Sequence, residues 1–236
     1  MKAVILAGGK GTRLAPYTRI LPKPLMPIGE MPILEVLLRQ MKRAGVEDVI
    51  LTVGHLANLL RTFFMDGQQW GLNITYSHEA EPLGTAGPLS LIKDLSSTFF
   101  VTNGDVLTTL DLRDLYAFHK EQGGIATIAV HQRHVKIDLG VVQWNGRNQI
   151  SGYIEKPTYD YTVSMGVYVF EPEVMKYIPF NVYLDFPELV LKMIAAGEKV
   201  SGYRFDGYWM DLGRPDDYAQ ASDDFIKMRS QFLLEE

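Results

Sequence analysis

The chain opens on a short apolar run, residues 2–7 (KAVILA), followed by glycines. A run of that length bounded by turn residues predicts a buried strand. The pattern then shifts to helical spacing. Leu34, Leu37, Leu38 and Met41 recur at steps of three and four, which predicts a helix over residues 33–44. Pro32 suits its first turn and Gly45 its stop. Residues 48–53 predict a second buried strand, and 58–65 a second helix followed by Gly67. Residues 73–77 and the β-branched, aromatic stretch 98–102 (TFFVT) predict two more strands. Alternating strands and helices imply βαβ units, right-handed crossovers and a mostly parallel sheet.

The second half reads differently. Residues 125–130, 140–144, 150–155 and 164–170 predict strands with little helix between them, as antiparallel additions beside the parallel sheet. Helices are expected at 184–196 and 215–228, and a strand at 200–205. No linker, repeat or low-complexity tract interrupts the chain. The expected fold is one α/β domain over residues 1–236: a mixed, mostly parallel sheet flanked by helices, with a β-rich elaboration in the C-terminal half.

Composition narrows the function classes. The apolar fraction is 47%, ample for a core in a chain of 236 residues. No apolar run is long enough to cross a bilayer, and the stretch after Lys2 is too short for a signal peptide, so a cytoplasmic protein without membrane contact is expected. There is no cysteine, which excludes disulfide frameworks and thiolate metal sites. A net charge of −5 argues against a nucleic-acid surface. A small anionic substrate stays open, because a few well-placed cations suffice.

The first candidate chemistry follows the first strand: Ala7-Gly8-Gly9-Lys10-Gly11-Thr12-Arg13-Leu14. Ligands of open α/β sheets sit beyond the carboxyl ends of the strands. Gly8, Gly9 and Gly11 let backbone N–H groups approach an anion, and Lys10 and Arg13 add charge. The spacing is not that of a P-loop. It also departs from the dinucleotide fingerprint, since Leu14 stands where the third glycine would be. Pro16, Pro22, Pro24 and Pro27 make the following loop stiff, and Pro22-Lys23-Pro24 holds one lysine as a preorganised cation. The glycines alone are equally compatible with a plain turn; Arg13 and Lys23 in a rigid loop tip the balance to anion binding.

Two aspartates are candidate metal ligands. Asp105 follows Asn103-Gly104 at the end of the TFFVT strand, and Asp211 lies in Trp209-Met210-Asp211-Leu212-Gly213. Two carboxylates, phosphate oxygens and water can complete the octahedral oxygen shell of Mg²⁺. Taken singly, each aspartate is better explained by capping a turn or helix. Glu155-Lys156-Pro157, at the end of a strand, reads in isolation as an exposed ion pair before a turn. The histidines make no metal set; His131 and His134 are expected in a solvated loop.

Gly-Gly-x-Gly-Thr-Arg-Leu at 8–14, followed by Pro22-Lys23-Pro24, resembles the signature of the sugar-phosphate nucleotidylyltransferases. The resemblance covers nearly the whole chain. It implies a Rossmann-like fold, with a nucleotide-binding part over about residues 1–110 and a sugar-phosphate part over about 111–236. It implies transfer of a nucleoside monophosphate to a sugar 1-phosphate with loss of pyrophosphate. Arg13, Lys23, Asp105 and Asp211 would be catalytic, the two aspartates holding Mg²⁺. The nucleotide would contact Leu6, Ala7, Gly8, Gly9, Gly11, Thr12, Arg13 and Lys23. Glu79, Gly84 and Thr85 would complete its site. The sugar phosphate would contact Asn103, Gly140, Glu155, Lys156 and Gly166. Many members carry Asn after the first Asp, where this chain has Val106.

The run Leu83-Gly84-Thr85-Ala86-Gly87-Pro88-Leu89 looks most like the mannose-1-phosphate guanylyltransferases. Glu79 stands where relatives using UTP or dTTP usually have Gln, and a carboxylate matches the two donors of guanine's Watson–Crick edge. GTP with mannose 1-phosphate is therefore expected. A heptose 1-phosphate, or a uridylyl- or thymidylyltransferase acting on a hexose 1-phosphate, are the alternatives. The resemblance implies a catalytic domain alone, without the left-handed β-helix of eukaryotic-type guanylyltransferases or an acetyltransferase domain. A homo-oligomer stays open. A catalytically inactive nucleotide-sugar sensor would need a broken phosphate or metal site, yet Arg13, Lys23, Asp105 and Asp211 are all present.

Overall fold

The computed structural model describes residues 1–233. In chain order the strands are β1 (Lys2–Leu6), β2 (Pro27–Ile28), β3 (Met31–Pro32), β4 (Asp48–Val53), β5 (Asn73–His78), β6 (Phe99–Asn103) and β7 (Val106–Thr108). They continue as β8 (Ala126–Lys136), β9 (Val141–Trp144), β10 (Ile150–Ile154), β11 (Thr158–Phe170), β12 (Val200–Arg204) and β13 (Trp209–Asp211). The α-helices are α1 (Ile33–Arg43), α2 (Ala57–Phe64), α3 (Leu112–Gln122), α4 (Phe186–Ala195) and α5 (Pro215–Leu233).

One seven-stranded sheet, ordered β12-β8-β11-β6-β1-β4-β5, runs through both halves of the chain. Every neighbouring pair is parallel except those made by β11, which is antiparallel to both β6 and β8. The antiparallel additions expected in the second half thus reduce, in this sheet, to one strand. Its central strands are buried on both faces. Ala3 and Ile5 of β1, Val49, Leu51 and Val53 of β4, and Phe100 of β6 pack with α1 and α2. Val4 of β1, Phe99 and Val101 of β6, and Phe170 of β11 pack on the other face with Phe186, Leu189 and Met193 of α4. Such strands read as continuous apolar runs, which is why they were legible in the sequence. Among the described residues no helix is long and apolar enough to cross a membrane.

The structure adds a helix, α3, in a stretch for which no element was expected. Asp111 caps α3, accepting from the Arg113 N–H at 2.9 Å, and Gly123 follows its end. Its inward stripe includes His119, which is buried and paired with Thr127 and Glu171, so the apolar period is broken. Helix α5 also runs past Met228, where the backbone leaves helical geometry, to Leu233. Phe232 is buried against Phe225 and Tyr208. Strands β8 and β11 extend well beyond the sheet body as a long antiparallel ladder, and β9 pairs only with β10 in a separate two-stranded ribbon.

Candidate functional site

A cleft of about 950 Å³ opens beyond the carboxyl ends of β1, β4, β5 and β6. Leu6, Ala7, Gly8, Gly9, Lys10, Gly11, Arg13 and Lys23 form one wall, and Asn103, Gly104 and Asp105 the next. Glu79 to Pro82, Gly84, Thr85 and Pro88 arch over it.

The loop after β1 is held by close contacts. Gly11 has φ +59°, and Thr18 Oγ donates to its carbonyl at 2.8 Å, folding the chain back on itself. A side chain at Gly8 would bring a Cβ to 2.5 Å from Glu79 Oε1, so only glycine lets the carboxylate lie on this backbone. The proline-rich stretch folds as three 3-10 turns, at Thr12–Leu14, Tyr17–Arg19 and Lys23–Leu25. The last turn carries Lys23 inward, to 8% exposure.

A short antiparallel pairing, β7 with β13, brings the two aspartates together. Asp211 lies opposite Val106, and the Leu212 N–H donates to the Asp105 carbonyl at 3.2 Å. Lys23 Nζ donates to Asp105 and lies 3.8 Å from Asp211 Oδ1. Arg13 completes the group, since a Cβ on Gly213 would lie 3.0 Å from its Nη1 and 3.2 Å from Asp211 Oδ2. Two cations and two carboxylates from four parts of the chain therefore share one corner. Burial raises the pKa of Asp211, and the charge of Asp105 adds to this; Lys23 and Arg13 oppose it. Both carboxylates face one cationic centre. Among the described residues no third acidic, His or Cys side chain joins them as a metal cluster. This donor set fits a hard divalent cation that takes its remaining oxygens from substrate and water.

At the arch, Glu79 Oε2 accepts from the Leu83 N–H at 3.2 Å. Burial raises the Glu79 pKa, against the pull of that hydrogen bond and of His78. Thr85 is placed at the cleft, but its side chain is engaged. Its hydroxyl donates to Asp185 Oδ1 at 3.1 Å and accepts from the Phe186 N–H at 2.8 Å. Thr12 opens the first 3-10 turn without lining the cleft.

The expected sugar-phosphate residues scatter. Asn103 lines the cleft, and Gly166 packs on its amide, where a Cβ would come within 2.6 Å of Nδ2. Gly140 lies under the Tyr153 hydroxyl at the base of the ribbon. Glu155 and Lys156 are exposed past the end of β10, 4.0 Å from one another, and do not line the cleft. His131 and His134 lie in strand β8, not in a loop. His131 Nδ1 is 2.8 Å from the Phe205 carbonyl and its ring packs on Trp209, while His134 pairs with Asp160.

Sequence reasoning missed Tyr183 and Asp185, which also line the cleft. Asp185 accepts from the Tyr183 hydroxyl at 2.7 Å, which lowers its pKa, and the Thr85 N–H and hydroxyl lower it further. The signal available was an aspartate directly before Phe186-Pro187, a helix-start pattern that places it at the N-terminus of α4.

The family model described as Nucleotidyl transferase matches residues 2–228. A UTP–glucose-1-phosphate uridylyltransferase of Synechocystis sp. is 38% identical over 94% of this chain and 62% of its own length. A mannose-1-phosphate guanyltransferase of Yarrowia lipolytica is 36% identical over 92% of this chain and 62% of its own length. The chain thus spans less than two thirds of the curated relatives it matches. A crystal structure of a putative glucose-1-phosphate thymidylyltransferase from Bacillus anthracis superimposes with a TM-score of 0.76 at 25% identity, covering 94% of each chain.

Proposed function

The chain belongs to the nucleotidyl transferase family, and on that premise we propose that it makes a nucleotide sugar from a nucleoside triphosphate and a sugar 1-phosphate, with GTP and mannose 1-phosphate as the pair. The observation that carries the reading is the corner where Arg13, Lys23, Asp105 and Asp211 converge at the cleft.

Both substrates are polyanions, so the barrier lies in their repulsion and in charge building on the leaving group. An oxygen of the sugar 1-phosphate attacks the α-phosphorus of the triphosphate in line. The bond from that phosphorus to the β-phosphate oxygen breaks, and pyrophosphate leaves. The attacking oxygen is already deprotonated at neutral pH, so no general base is required. Arg13 and Lys23 stabilise the departing charge, and the glycine-rich loop offers backbone N–H groups to the phosphates. Asp105 and Asp211 would hold Mg²⁺, whose charge offsets the repulsion between the two phosphates. Lys156 would bind the sugar phosphate, and Glu155 would accept from sugar hydroxyls.

Glu79 supports guanosine. An ionised carboxylate can accept from guanine N1–H and N2–H₂ together, and it meets the O4 or O2 of a pyrimidine lone pair against lone pair. A second reading, uridylyl transfer to glucose 1-phosphate, takes its support from the Synechocystis relative. The test is pyrophosphate release from four nucleoside triphosphates crossed with mannose, glucose and heptose 1-phosphates. The highest kcat/KM is expected for GTP with mannose 1-phosphate. A maximum with UTP or dTTP overturns the guanosine assignment; no release in any combination overturns the activity.

A further inference from the structure

The arch over the cleft does not stand alone. It is laced to the segment that enters α4. The Leu184 N–H donates to the Leu83 carbonyl at 2.9 Å, and the Ala86 and Gly87 N–H groups donate to the Leu184 carbonyl at 2.8 and 2.9 Å. Two side chains, Asp185 and Thr85, also cross this seam. Asp185 Oδ1 accepts from the Thr85 N–H at 2.9 Å and from the Thr85 hydroxyl at 3.1 Å, while Oδ2 accepts from Tyr183. The same Thr85 hydroxyl accepts from the first N–H of α4, at Phe186. The two segments are 100 residues apart in sequence.

The arch in turn holds Glu79. The Leu83 N–H donates to Oε2, which leaves Oε1 over Gly8. A continuous set of contacts therefore leads from Asp185 through Thr85 and Leu83 to the carboxylate proposed to read the base. A carboxylate accepts only, so it suits the three donors that meet it: two on Thr85 and the Tyr183 hydroxyl. Its ionised form strengthens all three.

We infer that Asp185 is a positioning residue for base selection: it clamps the arch to α4 and so fixes the direction in which Glu79 presents its free oxygen. The inference rests on the base-reading role of Glu79. It goes beyond that role in assigning selectivity to a residue that need not touch the base. Without the clamp, Leu83 can leave Oε2, and the carboxylate turns among several orientations. Its preference for guanine over uracil then falls, although the carboxylate itself is intact.

A double-mutant cycle with Asp185→Ala and Glu79→Gln tests this, read as the ratio of kcat/KM for GTP to that for UTP. Hydrogen exchange of the 83–87 amides in the ligand-free variants supplies a second readout. Asp185→Ala is expected to speed exchange there and to lower the GTP/UTP ratio about tenfold, within the range of a lost bidentate base contact. Adding it to Glu79→Gln is expected to change the ratio no further. Asp185→Asn, which keeps the acceptor for Thr85, is expected to recover most of the wild-type ratio and exchange. Faster exchange with an unchanged GTP/UTP ratio, while Glu79→Gln does shift the ratio, overturns the positioning role alone. A ratio that does not move in Glu79→Gln itself overturns the base-reading role beneath it. Equal losses for GTP and UTP, with full additivity, would mark Asp185 as structural and also overturn the inference.

Discussion

The cleft at the parallel strand ends and the β9–β10 ribbon are built on different physical terms. The cleft lies at the ends of strands β1, β4 and β6, which are buried on both faces, and its geometry is set before any ligand arrives. Lys23 is 8% exposed and already meets Asp105 and Asp211. Among the described residues the ribbon has no third strand, and Trp144, Ile150 and Tyr153 are each more than 60% exposed. Isolated two-stranded ribbons are marginal in water. Glu155 and Lys156, which follow it, are well exposed and lie 4.0 Å from one another. The contrast teaches that the charged corner is preorganised, whereas any contact from the ribbon would have to be made on binding. Preorganised charge should therefore carry most of the rate, and ribbon residues should act on one substrate's affinity.

The largest effect expected follows from the corner. Asp105→Asn and Asp211→Asn should each lower kcat by roughly 10²–10³, the scale of losing one charge-stabilising group. Neither should unfold the chain. Burial and Asp105 hold the Asp211 pKa above its ordinary value. A raised folded pKa means that the folded state binds the proton more tightly, a preference fully present at low pH and lost as pH rises through the folded pKa. Wherever Asp211 is ionised it is thus held against that preference, and a neutral Asn should leave Tm unchanged or higher. Turnover near wild type at saturating Mg²⁺ would remove the residue from the set of ligands, and a falling Tm would show that its charge is needed for folding.

The same contrast explains what the sequence made legible. Strands β1, β4 and β6 lie between two apolar layers, so their runs are uninterrupted and their ends mark the cleft. Arg13, Lys23 and Asp105 follow from that placement. Asp211 was visible only as a motif, because the β7–β13 pairing that brings it to Asp105 joins two three-residue strands too short to carry a pattern. Helix α3 was hidden by His119, whose polar ring occupies the buried stripe. Asp185 was hidden for another reason: its partner Thr85 lies 100 residues away across the seam, and spacing along the chain carries no trace of such a contact.

A smaller effect is expected at Glu79. Its Oε2 is engaged with Leu83, while Oε1 lies over Gly8 in the cleft. Glu79→Gln keeps the shape and replaces one acceptor by a donor. It should lower kcat/KM for GTP about ten- to a hundredfold, on the scale of 1–3 kcal/mol for a bidentate base contact. UTP and dTTP should be affected less, since Gln matches the N3–H and adjacent carbonyl of a pyrimidine. Parallel loss for all three nucleotides would reduce Glu79 to a staple for the Leu83 turn.

The smallest effect belongs to the ribbon. Lys156 has positive φ, is more than half exposed, and lies 4.0 Å from Glu155. An ammonium in that setting is strongly hydrated, and an exposed pair contributes only about 0.2–1 kcal/mol. The proposed contact with a sugar phosphate would be worth somewhat more, because a phosphate accepts a charge-assisted hydrogen bond. Lys156→Ala should therefore raise KM for the sugar 1-phosphate by roughly five- to tenfold, about 1–1.4 kcal/mol, and leave KM for the triphosphate unchanged. Salt separates the two regions. A charge contact made at the surface is screened within about a Debye length, so the Lys156→Ala effect should shrink as ionic strength rises. Lys23 is buried between two carboxylates, and the defect of Lys23→Ala should persist in the same salt series. Steady-state constants for both substrates at low and high salt would decide it. An effect of Lys156→Ala confined to the triphosphate would take Lys156 out of the sugar-phosphate site. One that ignores salt would mean that the ribbon closes over the cleft and buries the lysine, making its contact as dry as those of the phosphate corner.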